Sequence, residues 1–210
     1  MPLQPPDWRD AGDGSAWVIG TKLVGADADR LSHVRYLTLW DSAVPPGFLS
    51  RLPDLELLEL RGARSAAAVG QVGGHPGLRG LAVGRSPTLA DLGGVGPVER
   101  LEFLDLYGLS QVEALPPLGA LRRLRRLNLG QLIRLRDWTG LTSAPALESL
   151  WLTNRLVPDL DVLTALAGSP QFEAFLWDAP GENPVRVAAA TRAAARPPAS
   201  RVRLRDLWDG

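Results

Sequence analysis

The sequence predicts an α/β solenoid in which every coil contributes one short strand to a parallel sheet. Residues 78–146 divide into three consecutive units of 23 residues. A fixed period in the twenties is typical of repeat proteins, whose units bury their apolar sides only by stacking on one another. Each unit has apolar residues at its first, fourth and sixth positions: Leu78, Leu81 and Val83; Leu101, Leu104 and Leu106; Leu124, Leu127 and Leu129.

The fourth to sixth positions of each unit are predicted to be strand. Residues two apart in a strand point to the same side of a sheet, so Leu104 and Leu106 face the core while their neighbours face away from it. After the strand, apolar residues recur at nearly every third position, as at Leu109, Val112 and Leu115. That spacing fits neither a helix nor a strand. We therefore predict extended chain with short turns closing each coil.

The recurring LxxLxL motif resembles the leucine-rich-repeat family, in its bacterial-type short-repeat form, over residues 34–177. The resemblance implies a right-handed coil with a concave parallel sheet and a function in protein recognition. Seven or eight repeats of about 23 residues, capped at both ends, are expected. The predicted repeats begin at Val34, Leu55, Leu78, Leu101, Leu124, Leu147 and Phe172.

One feature of many family members is missing, the asparagine that lies three places after the sixth-position leucine. Its side chain bonds the turning backbone, so the turns of this chain must find other partners for their backbone groups. The corresponding residues here are Ser42, Ala63, Ser86, Leu109, Leu132 and Arg155.

Three parts of one continuous domain are predicted: a tail and cap at 1–33, the repeats at 34–178, and a C-terminal cap at 179–210. Residues 1–14 are rich in Pro, Gly and Asp and are expected to be loose. The alternating stretch at 17–24 is predicted to be a strand that caps the first coil. Its Trp17 is expected to lie in the core of that cap.

Helices are predicted outside the strands. The insertions at 45–53 and 159–170 are interpreted as short helices, the second with Asp159 or Asp161 as its N-cap. Asn183 followed by Pro184 favours another helix start. Residues 201–207 alternate and are predicted to form a last strand, with Val202 and Leu204 facing inward.

Composition excludes several classes of function. Basic and acidic residues balance at 23 each, so the net charge gives no general attraction to nucleic acid or to a membrane. The absence of cysteine excludes disulfides and thiolate sites, and two histidines make a zinc site improbable, so no metal and no cofactor are expected. The first residues do not resemble a secretory signal, and no apolar stretch approaches about 20 residues. A cytoplasmic bacterial protein is expected.

The strand alternation predicts three outward-facing columns on the concave sheet. The first is Tyr36, Leu57, Gly80, Phe103, Arg126, Ser149 and Ala174. The second is Thr38, Glu59, Ala82, Asp105, Asn128, Trp151 and Leu176. The third is Trp40, Arg61, Gly84, Tyr107, Gly130, Thr153 and Asp178.

These columns supply the candidate partner-binding residues. Aromatic side chains and arginine are enriched at the energetic centres of protein interfaces, although the aromatic residues could instead pack on one another along the stack. We expect a module that binds another protein or peptide, as an adaptor or an immunity-type protein would, and that is a monomer or a weak homodimer. The candidates are Tyr36, Trp40, Glu59, Arg61, Phe103, Asp105, Tyr107, Arg126, Asn128 and Trp151.

Two alternatives stay open. Gly80, Ala82 and Gly84 predict a trough, because glycine packs nothing at an exposed strand position and something is expected to need the space. A small molecule or a peptide could bind there. Glu59 and Asp105 face each other across this trough as a carboxylate pair, the arrangement of an inverting glycosidase. The stronger expectation is that the protein is not an enzyme.

Overall fold

The structure, a computed structural model, describes residues 7–153 and 156–208. Its strands form one sheet of nine, ordered as they occur in the sequence. The first two strands are antiparallel, and every later pair is parallel. The strands are β1 Asp7–Asp10, β2 Ser15–Ile19, β3 Tyr36–Trp40, β4 Leu57–Arg61, β5 Gly80–Ser86, β6 Phe103–Leu109, β7 Arg126–Gly130, β8 Ser149–Thr153 and β9 Ala174–Asp178.

Short helices lie in most of the segments that return from one strand to the next, and two more helical stretches follow β9. Between the longer helices and strands there are single turns of 3₁₀-helix at Leu49–Arg51, Ala67–Gln71, Gly93–Val95 and Leu204–Leu207. The α-helices are α1 Gly25–Arg30, α2 Ala63–Ala66, α3 Thr139–Thr142, α4 Leu160–Ala167 and α5 Pro184–Ala194.

The strand register is the one that the 23-residue frame predicts. Leucines at the fourth position of each unit are Cα partners from strand to strand, and they are buried. The triplet leucines that follow each strand are buried in the same continuous core. The period, the parallel register and this core together give the predicted leucine-rich-repeat fold. The stacked fourth-position leucines are Leu58, Leu81, Leu104, Leu127 and Leu150.

The turns use a left-handed backbone in place of the missing asparagine. Just after the third-column residue, five successive coils turn at a residue with positive φ, and a position of this kind favours glycine. Serine side chains add partners for the backbone: Ser65 Oγ accepts the Ser42 N–H at 2.8 Å. Arg155, the last of the positions compared above, lies outside the described residues. The turning residues are Asp41, Gly62, Arg85, Gly108 and Gln131.

The N-terminal end differs from the prediction in two ways. Residues 7–10 form β1, so only part of 1–14 is loop; residues 1–6 lie outside the described range. Trp17 is half-buried and pairs in register with Thr38, which places it in the second outward column. Its neighbours Ala16 and Val18 are the ones that enter the core. The prediction of Trp17 as core was wrong because the alternation of β2 was assigned the opposite phase.

The C-terminal end confirms one prediction and corrects another. Asn183 caps α5, its side chain accepting the Val185 N–H at 2.8 Å, and Asp159 caps α4 in the same way. Residues 201–207, however, are not a strand. The segment 199–208, called the tail below, leaves the cap and crosses the concave face towards β3. Leu204 is buried as predicted, but against this face and not in the solenoid core.

Candidate binding surface on the concave sheet

The three outward columns exist as predicted. The residues of each column are Cα partners across β3 to β9, so side chains of the same column lie next to one another on neighbouring strands. The first column lies at the amino ends of the strands and the third at their carboxyl ends. The columns are not equally accessible, because the tail covers the first column and part of the second.

The first column is covered from β3 to β6. Tyr36 is 5% exposed and Phe103 is 1% exposed, although both were predicted to face solvent. Together with Leu57 and Ala82 they form a second, smaller apolar cluster around Leu204 of the tail. Burial raises the pKa of the Tyr36 hydroxyl to about 12, with a further contribution from the Glu59 carboxylate. Farther along the column, Arg126 is exposed.

The end of the tail rests on the first coils. The ring of Trp208 lies 5.9 Å from that of Tyr36, centroid to centroid, at a tilted angle. The Arg35 guanidinium lies 5.1 Å from the centre of the Trp208 ring, within the range of a cation–π contact. The tail therefore reaches the strand at which the repeats begin.

The third column is open at its N-terminal end. Trp40 is 43% exposed, and its register partner Ile19 on β2 is 49% exposed. The Arg85 guanidinium lies 5.6 Å from the Trp40 ring centre. Arg61 and Tyr107 are half-buried farther along. We call Ile19, Trp40 and Arg85 the open patch; sequence reasoning missed Ile19 because β2 precedes the clear repeats, although the alternation of WVI could have revealed it.

The middle column holds charged and polar groups that bind one another. Glu59 accepts a hydrogen bond from Arg61 Nε at 2.6 Å and one from Thr38 Oγ1 at 3.2 Å. Asp105 is reached by Asn128 Nδ2 at 3.4 Å. Burial raises the pKa of the Asp105 carboxyl, and the hydrogen bond from Asn128 opposes that shift.

Trp151 was predicted to be exposed and is only 5% exposed. The Arg201 guanidinium of the tail lies over its ring at 4.6 Å from the centroid. The prediction was wrong for the same reason as for Tyr36 and Phe103, since a distant segment covers the side chain. Alternation along a strand carries no information about such a cover.

The predicted trough is occupied at one end and open at the other. A Cβ atom on Gly80 would lie 2.5 Å from Leu204 Cδ1, so the space above this glycine belongs to the leucine of the tail. Beyond Ala82, a cavity of about 370 Å³ opens beside the carboxyl ends of the strands. Its walls include Arg61, Gly84, Asp105, Tyr107, Trp151 and Arg201. The paired acidic and basic side chains suit a polar or zwitterionic group better than an apolar one.

Within residues 7–153 and 156–208, no three His, Asp or Glu side chains lie close enough together to hold a metal ion. The helices in the same part of the chain are all too short or too polar to cross a bilayer.

No family model matches the chain, and no curated protein matches it in sequence. Among solved structures it is similar to an internalin of Listeria monocytogenes, with 17% identity and a TM-score of 0.46 over 81% of this chain and 56% of the internalin. Human 5T4, a trophoblast glycoprotein, is 22% identical, with a TM-score of 0.47 over 85% of this chain and 82% of 5T4. A leucine-rich-repeat protein of Leptospira interrogans is 14% identical, with a TM-score of 0.43 over 74% of this chain and 52% of the Leptospira protein.

This chain spans about half the length of the internalin and of the Leptospira protein. Similarity at these TM-scores adds nothing about function. The leucine-rich-repeat fold of the chain follows from its own period, register and core.

Proposed function

We propose that this protein is a recognition module that binds another protein through the carboxyl-end side of its concave sheet. The observation that carries the proposal is the open patch. Two large apolar side chains, Ile19 and Trp40, lie side by side in adjacent strands and both remain about half exposed. Apolar surface that the chain itself leaves uncovered on a concave face favours a docking partner.

The chemistry around the open patch supports a protein as the partner. Arg85 lies against Trp40, and Arg61 and Tyr107 continue the same column towards the centre of the sheet. Tryptophan, tyrosine and arginine are the side chains that most often dominate interface energetics. We assign Trp40, Arg61 and Tyr107 to direct contact, with Glu59, Asp105 and Arg126 contributing polar contacts. Asn128 and Trp151 were candidates too, but both are buried beneath the tail, so they support the surface from below.

Tyr36 and Phe103 were candidates for direct contact as well. Because the tail covers both, a partner reaches them only where the tail is absent. An adaptor and an immunity-type protein would both use a surface of this kind. The identity of a captured partner distinguishes these two roles.

The test uses three variants of the full chain. Trp40→Ala and Ile19→Ser change the open patch, and Val185→Ser is the matched control, since Val185 is 71% exposed on α5. A partner is isolated with the unmodified chain, purified, and its Kd for each variant measured by calorimetry. Trp40→Ala is expected to weaken binding by about 30-fold or more, the scale of a buried aromatic anchor at about 2 kcal/mol. Binding that survives both patch changes would contradict the proposal.

The cavity beside Asp105 supports a second candidate, a small polar ligand. The Asp105 carboxylate, the Asn128 amide and the Arg201 guanidinium lie close together at this cavity. The ring of Trp151 forms an aromatic part of its wall. Catalysis by Glu59 and Asp105 has less support, because Thr38 and Arg61 occupy the Glu59 carboxylate. Calorimetric screening of zwitterionic small molecules against the chain and its Arg201→Ala variant tests the ligand candidate.

A further inference from the structure

The tail is tethered at one end and lies across the sheet over the rest of its length. At its base, Pro197 accepts the Phe175 N–H at 2.9 Å, and Arg196 donates to the Ala167 carbonyl at 2.9 Å. Beyond two consecutive prolines the tail crosses β8, β7, β5 and β3, with contacts to Trp151, Asn128, Gly80 and Tyr36 in that order. The tail therefore runs from β8, near the C-terminal end of the sheet, back to β3, where the repeats begin.

One side chain anchors the tail. Leu204 is buried between Leu57, Phe103 and Ala82, above a glycine whose missing Cβ leaves the space that the leucine fills. A leucine side chain therefore fills the groove at this point. Leu207 and Trp208 pack against the edge of the same cluster and remain half-buried.

The backbone of the tail is held less firmly than a strand. Residues 199–208, all of them described, form no strand and add nothing to the sheet ladder. Asn128 Nδ2 donates to the Val202 carbonyl at 2.7 Å. The turn that follows is closed within the tail, by Arg203 N–H to Asp206 Oδ2 at 2.8 Å and Trp208 N–H to the Arg205 carbonyl at 3.1 Å.

This arrangement resembles a bound peptide more than a structural element. A segment without strand structure crosses the groove, places one leucine above Gly80 and, after a single 3₁₀ turn, sets an aromatic ring four residues later against Tyr36. A segment with few backbone hydrogen bonds to its surroundings opens at a lower free energy than the whole fold. When it opens, the first column presents an apolar surface that needs another occupant.

We propose that the covered first column is a peptide-recognition groove and that residues 199–208 are its resident, competing ligand. The partner that fits is a segment that closes in a single 3₁₀ turn as the tail does, with a leucine followed three and four residues later by a second leucine and an aromatic ring. Displacement requires a partner whose affinity overcomes the high effective concentration of a tethered segment. The proposal rests on the proposed function in one respect, that the concave face is the recognition surface.

The chain has no cysteine, so single-cysteine labelling can report opening of the groove in the intact protein. Ala82→Cys places a thiol beneath Leu204, where the residue is 8% exposed, and Ala66→Cys is the matched control behind the sheet. With global stabilities measured alongside, we expect Ala82→Cys, and likewise Leu57→Cys in the same cluster, to react about 100-fold faster or more than the control, because each needs at most the tail to open. Ala82 also lines the cavity beside Asp105 and Leu57 does not, so Leu57→Cys separates opening of the tail from entry through the cavity. Equal rates would mean that the tail leaves only on global unfolding, and would overturn the proposal.

Recognition is tested with a synthetic peptide of residues 199–208. The protein for this test carries Ala82→Cys and Leu204→Asp, and the second change is expected to release the tail from the groove. A saturating concentration of the peptide is then expected to slow labelling of the cysteine at least 10-fold. The control peptide carries the same Leu204→Asp change and is expected to have no effect. Absence of protection by the unmodified peptide would overturn the proposal.

A second copy of the chain is the other occupant to consider. If labelling of the Ala82→Cys chain slowed as its own concentration rose, a neighbouring copy's tail would be the ligand, and the intramolecular proposal would be wrong. None of these results depends on the open patch. Failure here therefore leaves the Trp40→Ala experiment, and with it the proposed function, unaffected.

Discussion

Tyr36 and Trp40 lie on the same side of the same strand, and only one of them is accessible. The alternation of β3 predicts the same environment for both, yet Tyr36 is buried and Trp40 is about half exposed. Phe103 and Tyr107 on β6 repeat the difference. A period of two fixes the side of the sheet to which a residue points. It leaves open what covers that side.

The cover comes from a segment with no repeat of its own. The tail lies over the amino-end column and leaves the carboxyl-end column free, so one sheet carries a closed surface and an open one. The closed surface is apolar and centred on Leu204, and the open one combines Trp40 with arginines. Under the two proposals above, recognition is divided between a site that is available at once and one from which the tail must first be displaced.

The largest expected effect is a loss of folding stability, and it distinguishes the solenoid core from the tail that covers the sheet. Leu104→Ala and Leu127→Ala remove fully buried side chains shared by coils on both sides, and each should cost about 2–5 kcal/mol. Leu204→Ala should cost less than about 2 kcal/mol, because the tail can detach while the coils stay folded. Urea denaturation measures all three. Equal losses would show that the tail is part of the cooperative core.

Trp151 and Trp40 compare the two surfaces with the same residue type. Trp151→Ala removes a side chain buried between the sheet and Arg201, and should cost about 3 kcal/mol. Trp40→Ala removes a side chain that is about half exposed, and should cost less than about 1 kcal/mol. Thermal and urea melts of the two variants give the comparison. Similar values would mean that the tail does not cover Trp151 in solution.

Ala82→Trp tests the cover from beneath. The residue faces outward, so a bare face would tolerate the larger side chain, but Leu204 occupies the space above it. We expect a loss of about 1–3 kcal/mol, the range of overpacking, limited by the ability of the tail to leave. Urea denaturation of Ala82→Trp and of the unmodified chain measures the loss. Unchanged stability would indicate that nothing packs on this column.

The repeats could be predicted from sequence because their evidence is local and repeated. Leu104 and its register partners are fixed by a spacing that recurs every 23 residues, and an error in one unit would conflict with the others. The N-cap Asp159 likewise depends on residues two and three places away. Such short-range patterns determined the strands of the repeats, their faces and the starts of α4 and α5.

The cover could not be predicted, because it depends on single contacts between distant residues. Asn128 and Val202 are 74 residues apart, and nothing periodic links them. The sequence did contain one trace of it: Gly80 indicated that something needs the space above an exposed strand. The occupant was expected to be a ligand or a partner, and it is Leu204 of the same chain.

The smallest effect concerns Asp105, which lies near the boundary between the two surfaces. Burial raises its pKa in the folded protein, so the folded state disfavours the ionised carboxylate. Stability should therefore fall as pH rises from the unfolded pKa, about 3.9, through the folded one, and level off above it. Asp105→Asn removes the cost of burying the ionised carboxylate. The stability of this variant relative to the unmodified chain should therefore increase as the pH rises between the two pKa values. Urea denaturation at a series of pH values measures the difference.

The same measurement with Leu204→Ala connects Asp105 to the cover. Arg201 and Val202 of the tail lie beside the Asp105–Asn128 pair, so detachment of the tail lets water reach the carboxylate. Detachment also removes the Arg201 charge, which lowers the Asp105 pKa, but desolvation is the largest cause of the raised pKa. In the Leu204→Ala background the pH-dependent gain from Asp105→Asn should therefore shrink. A gain of unchanged size would assign the burial of Asp105 to the sheet alone, and the two surfaces would then be independent.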